Sequence, residues 1–301
     1  TLKKVTLTKN AGEYAFADCI SLEEIVFAES FEDKKTEKYF AYNCKNLKNI
    51  SLPSNIEFIG DMAFNGCSLI ENIHIPESVN RIYYGAFNNT KWYEKLKEKF
   101  EIVGNGVLLK YNGTDTEITI SENVKCISSA FEGRSDITSV KIGSNVKTIG
   151  PRSFLGCTGV EEIYLPETLE LIEKGALTGM CNLKKITVPF MGHYKKEKPD
   201  YNYSNLDSIL KDGLECPVCG SKTCYESGKF EEVTVLGGII EKHNFGGFNA
   251  KKIVLGADIT LIEASAFNNC QAEEIVFDEN IKIDKLERWT FTNCDNLTSL
   301  T

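Results

Sequence analysis

Residues Met62–Ile82 read MAFNGCSLIENIHIPESVNRI, and residues Arg152–Ile172 read RSFLGCTGVEEIYLPETLELI. Laid one over the other, they share a grammar of roughly AFxxCxxLxxIxLPxxVxxIG. Its anchor recurs at 23 or 24 residues, from Phe64 to Phe87, Phe131 to Phe154, Phe154 to Leu177 and Phe267 to Phe291. A fixed period of this length marks an array of stacked repeats. Cys19, Cys67, Cys157, Cys270 and Cys294 each lie three residues after a Phe, so these five of the 11 cysteines belong to the period rather than to a disulfide framework. The period breaks twice, for 44 residues between Phe87 and Phe131 and for 90 between Leu177 and Phe267. Inside the gaps the strand grammar resurfaces as TEITI, EEVTV and AKKIVL.

One repeat cannot stand alone, because its few apolar anchors bury too little surface to offset the ordering of its residues. Neighbours supply the missing core and the strand-to-strand hydrogen bonds, so stability accumulates along the array. The alternation in IENIHIP predicts a parallel strand with Ile73 and Ile75 inward and Asn72 and His74 outward. Proline after the strand ends it where no ladder amide is needed. The AFxxC segment is expected to form a short helical turn that drops Phe and Cys into the core, with Cys as a small hydrophobe. Thr90 and Arg134 replace the repeat cysteine, and Ala41 stands where Phe is expected, with Phe40 beside it.

The pattern resembles the BspA-like leucine-rich repeat family, named after bacterial surface antigens. The resemblance covers most of the chain. It implies an α/β solenoid: a right-handed array over residues 1–301, with short parallel strands, short helical turns and about eleven complete strand segments. Two insertions are expected. Residues 88–115 should form a short helix, with Trp92, Leu96 and Phe100 on one face, and then a hairpin whose tight turn is the Gly-Asn-Gly at 104–106. Residues 189–231 interrupt the array with a cysteine-containing loop. The family is found largely among surface or secreted proteins of host-associated microbes, so the resemblance implies adhesion or host recognition without catalysis.

Composition narrows the function further. Thirty-four basic against 43 acidic residues give a net charge of −9, with the basic residues scattered, which excludes a phosphate-backbone binder. No run of about 18 apolar residues spans a bilayer. The chain opens TLKKVTL with neither an initiator Met nor a signal peptide, and native repeats are expected to continue beyond both ends. The sequence carries no P-loop, GxSxG, HExxH or strand-to-helix GxGxxG, so no enzyme is expected.

Two candidate sites remain. Cys216 and Cys219 form a CPVCG knuckle, with Cys224 five residues further on. With His193 as a fourth ligand these sulfurs would hold a structural zinc; a disulfide among the three and free thiols are the other readings, and no other cofactor is expected. The second site is the outward strand column, which a solenoid presents as one surface. Its candidate partner-binding residues are Asn72, His74, Lys141, Glu162, Tyr164, Lys185, Val254 and Val276. Tyr164, Val254 and Val276 are choices that solubility alone does not make. The expected protein is an extracellular or cell-surface monomer that binds a protein or glycan through this column or the 189–231 insertion. The alternative is an inert spacer that displays another domain.

Overall fold

The computed structural model describes residues 2–192, 205–210 and 230–301. The chain divides into two compact units, Thr1–Thr114 with Asn123–Ala130, and Asp115–Glu122 with Phe131–Thr301. Both are built from parallel strands of successive repeats, so the architecture is a β-solenoid. Only two short helices occur among the described residues, α1 (Lys91–Lys95) and α2 (Leu206–Leu210).

The first unit carries an outer sheet of Lys4–Leu7, Glu24–Phe27 and Asn49–Ser51. The strands are in parallel register, with Val5 beside Ile25 and Ile25 beside Ile50 on the core side. A second ladder joins Lys35–Thr36, Phe58–Ile59 and Arg81–Ile82. In the second unit, Glu117–Thr119 pairs with Ser139–Lys141. Six further strands follow in chain order: Glu162–Tyr164, Lys185–Val188, Phe230–Ile240, Ala250–Ile262, Glu274–Phe277 and Ser299–Leu300. Pro53 and Pro166 each follow an outer strand, and Pro53, Pro76 and Pro166 each accept a turn bond from a residue three further on, as Pro53 O does from Ile56 N–H at 3.2 Å. Repeats 230–240 and 250–262 lack that proline, and there one strand runs on through bulges beside Gly237 and Gly238.

The expected helical turn at AFxxC is corrected. Tyr14 and Asp18 have φ of +58° and +57°, and the same left-handed positions recur at Tyr39 and Asn43 and at Met62 and Gly66. A right-handed helix cannot hold such residues, whereas the third position of a type II turn requires them. Ala15, Ala17 and Cys19 donate to Gly12, Tyr14 and Phe16 three residues back, while the intervening Tyr14, Phe16 and Asp18 donate to the Lys38, Phe40 and Tyr42 carbonyls of the next repeat, Phe16 N–H to Phe40 O at 2.9 Å. Each segment is a chain of β-turns whose alternate amides stitch one repeat to the next.

The core is an aromatic spine. In the first unit Phe16, Phe40, Phe64, Phe87 and Trp92 follow one another at centroid separations of 5.4, 5.9, 5.5 and 4.9 Å. Phe40 therefore takes the place that Ala41 leaves vacant. In the second unit Phe131 stacks on Phe154 at 5.4 Å, and Phe245, Phe267 and Phe291 are spaced 4.8 and 5.1 Å. The repeat cysteines add a contact that sequence alone conceals. The Cys44, Cys67, Cys157 and Cys294 thiols donate to the Phe16, Ala41, Phe131 and Phe267 carbonyls of the preceding repeat, at 2.9 to 3.3 Å. The eight described cysteines are all free thiols.

Both gaps in the period are filled. Residues 88–115 contain α1 and an antiparallel hairpin of Phe100–Val103 and Val107–Tyr111, turned by Gly104 and Gly106 at φ +55° and +79°. The helix is one turn long, so Phe100 lies in a strand and not on a helical face with Trp92 and Leu96. Thr90, in place of the repeat cysteine, caps α1: its Oγ1 accepts from Tyr93 N–H at 3.2 Å. In the longer gap, α2 stands in for a missing turn segment. Gly175 and Leu177 donate to the Ser208 and Ile209 carbonyls at 2.9 Å, and Leu206, Ile209 and Leu210 are buried.

Candidate functional site

The outer strands place residues of alternate parity on the solvent side, and parallel in-register pairing turns equivalent positions into straight rows. The second unit carries two such rows. One aligns Glu162, Lys185, Glu232, Lys252 and Glu274, each directly opposite the next. The other aligns Tyr164, Thr187, Thr234, Val254 and Val276. Beneath both lie Ile163, Ile186, Val233, Ile253 and Ile275, all buried, which fixes the strands at the registers that hold the rows.

The two rows differ in chemistry. The first is charged throughout with alternating sign, and Lys252 Nζ lies 3.7 Å from Glu274 Oε2. The second carries no charge. It runs from an aromatic ring through two threonines to two valines, with Tyr164 52% exposed and the other four partly so. Because neighbouring charges on the first row cancel, the face projects little long-range field, and what it offers a partner is short-range apolar contact and side-chain hydroxyls.

Of the residues expected at the site, Glu162, Tyr164, Lys185, Val254 and Val276 are brought together on this face. Lys141 is exposed on the separate two-stranded sheet of the same unit, opposite Thr119. Asn72 and His74 belong to the first unit and correct an expectation: they are exposed, but residues 71–76 form no strand. The cause is α1, which pulls this stretch out of the ladder. Trp92 N–H donates to Ile70 O at 2.9 Å, and Lys91 and Lys95 hold Glu71 at 2.8 and 3.4 Å. Where the ladder opens, Lys48, Asn49, Leu69, Glu71 and Asn72 line an open cleft of about 270 Å³. Sequence reasoning missed this cleft and also the exposed pair Ile239 and Leu261, which lie opposite each other in the long strands. The alternation in GGII and ITLI was the available signal for the pair. His193, Cys216, Cys219 and Cys224 lie outside the described residues.

Three of the buried thiols, Cys67, Cys157 and Cys270, are poor nucleophiles. Burial pushes Cys157 up to about 12 and Cys270 up to about 11. Cys67 is raised by its hydrogen bond with Cys44 and by burial. Such groups stay protonated at neutral pH, as packed donors do and catalytic cysteines do not.

The stacked turns, the in-register rows and the Phe/Cys period are accounted for together by one family model, the BspA type leucine-rich repeat region, which matches in six copies over residues 1–107, 95–194 and 219–301. The chain belongs to the BspA-type leucine-rich repeat family. Among curated proteins no sequence matches. Solved structures similar to this BspA-type chain include a leucine-rich cell surface protein from Faecalibacterium prausnitzii, with 20% identity over 99% of this chain and 70% of that one and a TM-score of 0.30. A leucine-rich repeat protein from Bacteroides ovatus has 17% identity over 99% and 74% of the two chains and a TM-score of 0.32. The pneumococcal vaccine antigen PcpA has 16% identity over 92% and 79%, with a TM-score of 0.41. No helix among the described residues of this BspA-type chain is long and apolar enough to cross a membrane.

Proposed function

We propose that this chain is a non-catalytic recognition module, displayed at a cell surface or secreted, that binds a protein or glycan partner through the outer face of its second unit. The observation that carries this reading is the uncharged row Tyr164, Thr187, Thr234, Val254 and Val276, held straight by strand register and left open to solvent. A merely solvated face has no use for a half-exposed tyrosine and two valines in line, whereas a partner gains from an aromatic anchor with apolar neighbours and a charged rim. Membership of the BspA-type family supports the same reading.

The test is a binding screen of the purified chain against extracellular-matrix proteins and a glycan array, with Tyr164→Glu beside it. Saturable binding that Tyr164→Glu weakens supports the face. Binding that survives Tyr164→Glu and Val254→Glu together moves recognition elsewhere. No binding by the parent chain favours a spacer. The cysteine insertion is tested by Cys216→Ser, Cys219→Ser and Cys224→Ser, not by excising the loop, because excision would remove Leu206, Ile209 and Leu210 from the core. Zinc at these cysteines remains a proposal, and metal content of the purified chain before and after the same substitutions decides it.

A further inference from the structure

The strand register shows a pattern in the charges that runs between repeats and extends beyond the residues of the proposed recognition face. The two residues ahead of each outer strand's central apolar residue form a doublet. In the second unit the successive doublets are Glu161–Glu162, Lys184–Lys185, Glu231–Glu232, Lys251–Lys252 and Glu273–Glu274. Every charged doublet faces one of opposite sign. The block is bounded by the uncharged doublets Thr138–Ser139 and Thr298–Ser299. The first unit begins in the same way, with Lys3–Lys4 against Glu23–Glu24, followed by Lys48. Ion pairs form between repeats, from Lys3 to Glu23 at 3.0 Å, Lys4 to Glu24 at 2.9 Å, Lys184 to Glu161 at 2.7 Å and Lys252 to Glu274 at 3.7 Å.

The centre of the core distinguishes one neighbour from another poorly. The central inward residues of these strands, Ile163, Ile186, Val233, Ile253 and Ile275, are all Ile or Val, and the spine positions are mostly Phe, so a strand that skipped a repeat and paired with the next but one would bury an equivalent side chain at its centre. The charge doublets do distinguish neighbours. A strand skipping one repeat would meet its own sign at both positions, Glu231–Glu232 against Glu273–Glu274 or Lys184–Lys185 against Lys251–Lys252. Like charges directly opposite on adjacent strands repel, and opposite ones attract. Each exposed pair is weak, but pairs of both kinds act in the same direction, and they act while the strand order is being chosen.

We propose that the alternating doublets encode the order of the repeats, steering each strand to its true neighbour and rejecting skipped registers during folding. It is a device against misassembly, the characteristic failure of repeat proteins. It requires the alternation of sign and not any particular residue. Inverting the sign of the whole block therefore preserves the device, since both borders are uncharged, whereas inverting one doublet destroys it.

The experiment uses the full chain in three forms: the parent, K251E/K252E, and a block inversion in which all ten doublet residues of the second unit change sign. Refolding from urea is followed by fluorescence and by the yield of monomer. At low salt K251E/K252E should refold at least several-fold more slowly or with a trapped fraction, and melt about 5 °C lower. Salt near 1 M should remove most of the difference. The block inversion should refold like the parent. A second comparison tests order directly: deletion of residues 251–272 removes one repeat and sets Glu231–Glu232 against Glu273–Glu274, and the same deletion with E273K/E274K should recover the refolding yield. Parent-like refolding of K251E/K252E, or a block inversion as defective as K251E/K252E, would overturn the proposal. So would two deletion variants that refold alike.

Discussion

Replacing Phe64 by Ala should cut the aromatic spine of the first unit. The ring is fully buried, between Phe40 at 5.9 Å and Phe87 at 5.5 Å. Removing it forfeits roughly 2–3 kcal/mol of transfer free energy. It also ends two ring contacts of about 0.5–1.5 kcal/mol each, and leaves a cavity that stacked repeats fill poorly. We expect a loss of about 4 kcal/mol, a large share of a domain's usual 5–15 kcal/mol. The assay is urea unfolding followed by fluorescence of Trp92, whose ring lies 4.9 Å from Phe87, with Trp289, the chain's other tryptophan, changed to Phe. Phe64→Leu should recover more than half of the loss, and Phe64→Ala with Phe87→Ala should fall short of additivity by about 1 kcal/mol. A cost below about 1 kcal/mol, or strict additivity, would refute the spine as the unit's continuous core.

Three other perturbations have stated outcomes. Gly159→Ala should destabilise the second unit by about 2–4 kcal/mol in thermal or urea melts, since its Cβ would clash with Ile137 O and sit 2.8 Å from Ser135 O, both backbone atoms of the preceding repeat. Thr90→Ala should cost about 1 kcal/mol through loss of the α1 cap, and Thr90→Ser should restore most of it. Cys157 has a folded pKa pushed up to about 12 by burial, above its unfolded value. Its contribution is therefore complete below about pH 8.5 and is lost as pH rises toward 12, so stability should fall over that window with a slope that Cys157→Ala reduces. A slope unchanged by the substitution would contradict the buried-thiol assignment.

Periodicity made the fold legible. Register followed from it, because a 23-residue period with inward Ile at a fixed offset leaves one parallel alignment, and the observed pairs Glu162–Lys185 and Val254–Val276 are the ones that alignment gives. Local backbone was less legible. AFxxC carries apolar residues at a spacing that a helical turn and a chain of type II turns both satisfy, and the left-handed φ at Tyr14 or Met62 has no glycine to announce it. The break at Asn72 and His74 escaped notice for another reason: their segment has good strand grammar, and the contact that displaces it comes from Trp92, twenty residues away. The hidden repeat element at 206–210 lacks both Phe and Cys, so only its buried leucines and isoleucine betray it.

The recognition face is tested most directly by titrating a matrix protein or glycan that binds the parent chain against the variant Tyr164→Glu/Val254→Glu/Val276→Glu, with circular dichroism to confirm that the solenoid is intact. The account expects at least a tenfold loss of affinity, about 1.4 kcal/mol, with the fold unchanged. Affinity within twofold of the parent in a folded triple variant would contradict it.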